Sequence, residues 1–148
     1  MVSMDYKEID AKADYILETS KEQVKLLIEE LDYHEQLKEL KLYLIDAINC
    51  SKFIDSLDIT KLDKTQLKYR IRIMNLSLLA ENVMKKILYI VNKTDISNLT
   101  DLDDLLSDEI DNYIPIQDIL EKAIGNISIC IFLLRYIFHL DDYLEEEQ

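Results

Sequence analysis

Apolar residues recur at helical spacing along almost the whole chain. Ile9, Ala13, Ile16 and Leu17 form a narrow stripe that predicts a first helix from about Asp5 to Glu18. Ser20-Lys21-Glu22-Gln23 then has the form of a capping box, a hydroxyl at the N-cap and a Gln three residues on. It predicts a new helix carrying Val24, Leu27, Ile28 and Leu31. The stripe resumes at Leu37, Leu40, Leu44, Ile45 and Ile48 after a phase slip across Tyr33, His34 and Glu35, which predicts a break near His34.

Asp63-Lys64-Thr65-Gln66 offers a second capping box and predicts a long helix to about Asn92. Its apolar residues form two rows, Leu67, Ile71, Met74 and Leu78 beside Leu76, Leu79, Val83, Ile87 and Ile90. So broad a face suits a helix packed on several neighbours. Thr100-Asp101-Leu102-Asp103 opens a short acidic helix ending near Asp111 or Asn112. Pro115 is placed as the first residue of a last helix reaching about Leu144, because its missing N–H costs nothing there. Between Ile116 and Leu140 that helix is apolar on nearly every side. The expectation is an all-α, single-domain bundle of four to five helices over residues 1–148, with the C-terminal helix at its centre.

Complete enclosure of such a helix is difficult in so small a domain, so part of it is expected to be shared with another subunit. Ile127, Ile131, Phe132, Leu134 and Phe138 are the interface candidates.

Composition narrows the field. Gly125 and Pro115 are the single glycine and proline, which argues against tight sheet turns and against glycine-rich phosphate loops. Cys50 and Cys130 stand among apolar residues and are expected to be buried free thiols. The N-terminus does not read as a secretory signal, and the longest apolar run, interrupted by Arg135 and His139, is too short for a membrane span. A cytoplasmic protein without membrane contact is the expectation.

The net charge of −13 is unevenly spread. Residues 1–60 carry −7 and residues 94–148 carry −12, whereas residues 61–93 carry +6. The positive block falls on the long helix, with Lys64, Lys68 and Arg72 as candidates for a basic face. It either offsets the repulsion of acidic neighbours or docks an acidic surface. Direct nucleic-acid binding is disfavoured by the overall charge. From Asp95 to Asp118 there is no Lys or Arg, and Asp103, Asp104, Asp108 and Asp111 lie in that stretch. Such a run is a solvated helix face, or else it imitates the charge of a nucleic acid and blocks a protein that binds one.

Candidate chemistry is sparse. Arg135, His139 and Tyr143 stand at i, i+4 and i+8, which would stack them along one helical face. The arrangement resembles the motif of the HEPN ribonucleases, helical domains in which an Arg shortly precedes a His. The resemblance implies RNA cleavage, with His139 moving protons and Arg135 stabilising phosphate charge. Only three residues separate the two here, and Asp141 and Asp142 follow at once. His34 lies near Asp32 and Glu35, but no metal-ligand spacing occurs. Asp101 to Asn112 begins like a calcium loop and lacks its Gly and final Glu. No cofactor is expected. The reading is therefore a non-enzymatic interaction or assembly protein, a homodimer or a subunit of a larger complex. An acidic mimic of nucleic acid comes second and a ribonuclease third.

Overall fold

The computed structural model describes residues 5–109 and 114–142, apart from the side chains of Asp108 and Glu109. Its α-helices are α1 (Tyr6–Glu30), α2 (Tyr33–Ser56), α3 (Lys64–Lys93), α4 (Leu102–Glu109) and α5 (Ile116–Ile137), and residues 140–142 are helical again. Short 3-10 turns precede α3 and α4, at Ile59–Lys61 and Leu99–Asp101. No strand occurs among the described residues, so the all-α bundle expected from the pattern is what the chain forms.

The helix starts are written in Asp residues. Asp5 accepts the N–H of Glu8 at 2.9 Å, Asp32 that of Glu35 at 2.9 Å and Asp63 that of Gln66 at 2.8 Å. At α3 the capping box closes, because the Gln66 side chain accepts the Asp63 N–H at 3.1 Å. Each such cap stabilises its helix by about 1 kcal/mol.

The Ser20 box is not a cap. α1 runs unbroken through it, and the buried Ser20 hydroxyl donates instead to the Ile16 carbonyl at 2.8 Å. The break expected near His34 falls at Leu31–Asp32, both in extended backbone. Gln36 spans it, its amide donating to the carbonyls of Leu27 and Ile28 at 3.1 Å and so covering the end of α1.

Two clusters divide the core along its length. Ile9, Ile54, Tyr69, Ile73, Leu133 and Ile137 meet at one end, and Val24, Leu40, Met84, Ile87, Leu120 and Ile124 at the other. Successive long helices therefore alternate in direction, and α5 lies against α1, α2 and α3. Leu99, Leu102 and Leu106 close the second end beneath α4. Gly125 sets the approach of α5 to α1: a Cβ there would stand 2.6 Å from Leu17 Cδ2 and 3.5 Å from Ser20 Oγ. α5 ends earlier than its apolar run suggests, at Ile137, where His139 adopts a left-handed backbone with φ 55°.

Candidate functional site

α3 is about 45 Å long and has two different sides. Tyr69, Ile73, Ser77, Ala80, Met84, Ile87, Leu88 and Val91 make the packed seam. The row Leu67, Ile71, Met74 and Leu78, expected to help build the core, instead faces outward. Leu67 is 38% exposed, Ile71 62% and Leu78 42%, while Met74 is half-buried between them. Leu79 and Tyr89 add further exposed apolar surface along the same helix. The pattern gave no warning, because two apolar rows look alike until it is known which one the neighbours cover.

Basic residues on α3 divide by type. The arginines turn to neighbouring helices: Arg72 Nη1 is 3.0 Å from Asp10 Oδ1 on α1, and Arg70 Nη2 is 4.0 Å from Asp55 Oδ1 on α2. Arg72 is thus a tie within the bundle as well as a member of the expected basic face. The lysines face solvent. Lys64, Lys68, Lys85, Lys86 and Lys93 are all exposed. Lys68 Nζ lies 3.9 Å from the centre of the Tyr6 ring, Lys85 pairs with Glu81 at 3.1 Å, and Lys93 bonds the Tyr89 hydroxyl. Lys64 and Lys86 form no ion pair among the described residues. The outer side of α3 therefore interleaves apolar side chains with ammonium groups.

Of the five interface candidates on α5 and at its C-cap, Ile127, Leu134 and Phe138 are enclosed by the chain's own helices, at 3% exposure or less. Enclosure within one chain proves feasible for most of this helix. Ile131 and Phe132 are half-buried, and Phe132 stacks on Tyr136 with ring centres 5.9 Å apart. Ile131 also lines a groove of about 500 Å³ between α5 and α2, with Asp46 and Phe53 opposite.

The acidic candidates are not equivalent. Asp103 is half-buried, and its carboxylate accepts the N–H of Ile116 at 2.8 Å, while Asp104 is exposed. The side chain of Asp108 and all of Asp111 lie outside the described residues.

Arg135 and His139 do not share a helical face. α5 stops between them, and Arg135 Nε faces Asp141 Oδ1 at 3.4 Å. Tyr143 lies outside the described residues. His34 is exposed on the first turn of α2. No group of three or more His, Cys, Asp or Glu among the described residues is placed to hold a metal ion. Among them, too, no helix is long and apolar enough to cross a membrane.

Cys50 and Cys130 are free and buried in one core cluster. Desolvation pushes the Cys50 thiol up to about 12, with the Asp46 charge adding to it. Burial likewise raises Cys130, whose thiol donates to the Ile73 carbonyl at 3.6 Å. Thiols held protonated in this way are poor nucleophiles.

Comparison with known proteins finds no matching family model, no similar curated protein and no similar solved structure.

Proposed function

We propose that the protein is a non-enzymatic interaction module that docks an acidic, amphipathic helix of a partner along the outer side of α3. One observation carries this reading. Leu67, Ile71, Met74 and Leu78 recur at i, i+4, i+7 and i+11 on the surface, the spacing with which one helix receives another. Burying a large aliphatic side chain contributes about 1.5–3 kcal/mol, so the row offers several kcal/mol of binding. The surrounding lysines select the sign of the partner. Elsewhere the chain is strongly negative and repels acidic surfaces, which restricts docking to this side.

A second copy carries an acidic stretch between Asp95 and Asp118, but Leu99, Leu102 and Leu106 of that stretch are buried in its own core, so self-association through this surface would draw on its charge alone. Mimicry of nucleic acid draws less support, because Asp103 is committed to a helix end rather than to a regular outward array.

The test is a fluorescence titration with a synthetic helical peptide bearing Leu at i, i+4, i+7 and i+11 and Glu between them. Binding that weakens with salt and is lost in Ile71→Glu supports docking. Equal binding of a Lys-substituted peptide, or indifference to Ile71→Glu, overturns it. Light scattering at low and high salt separates self-association from docking of a different chain.

A further inference from the structure

α3 and α5 part to leave a cavity of about 230 Å³. Its wall is apolar, with Ala80 and Val83 from α3 facing Ile119 and Ala123 from α5. Leu79 and Ile114, both more than half exposed, also line it, as do the exposed side chains of Asp118 and Lys122. Asn126 is the exception within. It is only 8% exposed, it lines the cavity, and its side chain makes no hydrogen bond to any described residue. Neither amide atom is fully enclosed, so the carboxamide meets solvent through the cavity and can turn to a ligand that enters it. A dry apolar cavity of about 150 Å³ is enough to admit benzene. This one has room for a ring or six-carbon body with a polar head as well.

We propose that this cavity binds a small neutral amphiphile, its apolar body against Ala80, Val83, Ile119 and Ala123 and its head on the Asn126 carboxamide. The carboxamide has both donors and an acceptor, so it suits a head that can return both, such as an amide or alcohol. Asp118 and Lys122 place opposite charges together, which gives a charged ligand of either sign no advantage. The site is separate from the outward row of α3, because Ile71 and Leu78 do not line it.

The experiment is an NMR titration of the whole chain with benzamide and with toluene. Benzamide is expected to give saturable shifts at the Asn126 side-chain amide and at Ala80 and Ala123, and to bind at least tenfold more tightly than toluene. Val83→Phe, which fills the cavity, is expected to abolish both. Asn126→Leu, an apolar replacement of similar size, is expected to fold, keep toluene and lose the preference for benzamide. Ile71→Glu is expected to leave both affinities unchanged. Absence of saturable benzamide shifts in the native protein overturns the proposal, as does unaltered benzamide affinity in Asn126→Leu. If Val83→Phe does not fold, the Asn126→Leu comparison decides alone.

Discussion

The Asp103 carboxylate accepts the N–H of Ile116 at 2.8 Å and so caps a helix to which Asp103 does not belong. Pro115, at the N-cap of α5, makes no side-chain cap of its own, and the acidic side chain answers the partial positive charge of the helix start. Asp103→Ala should lower unfolding free energy by about 1–2 kcal/mol, and Asp103→Asn by less, since an acceptor oxygen remains. Asp104→Ala, on the exposed side, should stay within about 0.5 kcal/mol of the parent. Urea midpoints for the three variants check the ranking. Equal effects at 103 and 104 would mean that charge, not the cap, is what matters.

Gly125 is a packing residue. Its bare Cα lets α5 approach Leu17 and Ser20 of α1. A methyl there meets the far end of the Leu17 side chain, which can turn aside, and Ala has about 0.8–1 kcal/mol better helix propensity than Gly. Gly125→Ala should therefore change stability by less than about 1 kcal/mol. Gly125→Leu has no such escape and should cost about 2–3 kcal/mol or more through overpacking. Thermal melts of the pair test this. A costly alanine would show that Leu17 is held too tightly to move.

Much of the architecture was legible in the sequence, for physical reasons that can be named. Helical periodicity located the long helices, and the reciprocal Asp63–Gln66 box marked the start of α3 to the residue. The same rule failed at Ser20, because a hydroxyl followed by Gln also fits a helix interior when a small residue is needed opposite Gly125. Asp5 and Asp32 head the same Asp-x-x-Glu pattern and mark the true starts of α1 and α2. The site was less legible. Periodicity reports which residues are apolar, not which are covered, so the outward Leu67–Leu78 row and the enclosed Leu134 read alike. Asn126 carried no signal, since an uncapped polar residue within an apolar helix is indistinguishable from one that faces solvent.

The buried thiols make stability depend on alkaline pH. Cys50 is pushed up to about 12 in the fold, whereas an unfolded thiol titrates near 8.5. Above about pH 8.5 the unfolded chain has released a proton that the folded chain retains. Stability is then full below that pH and falls as pH rises toward the folded value, by about 1.4 kcal/mol per pH unit for such a group. Cys130, the half-buried Tyr43 and the buried Tyr69, all raised by desolvation, act in the same direction. Urea midpoints should be level from pH 6 to 8 and decline from about pH 9, less steeply in Cys50→Ala. A disulfide reagent at pH 8 should find both thiols only after unfolding. Rapid reaction of the native chain would contradict the enclosed core.

Ile71 and Ile73 stand two residues apart on α3 and should respond oppositely to the same substitution. Ile73 is fully buried in the cluster with Tyr69 and Leu133, whereas Ile71 is 62% exposed. Ile73→Glu places a carboxylate in a fully buried apolar cluster and should cost more than about 4 kcal/mol, or prevent folding. Ile71→Glu should leave the unfolding midpoint within about 0.5 kcal/mol while abolishing binding of the acidic peptide. Phe132→Glu, on the half-buried strip of α5, provides the control. If it alone disrupts association, the α5 strip is the contact and the outer side of α3 is not. If Ile71→Glu destabilises the fold as Ile73→Glu does, the outward row belongs to the core, and docking on α3 loses the observation on which it rests.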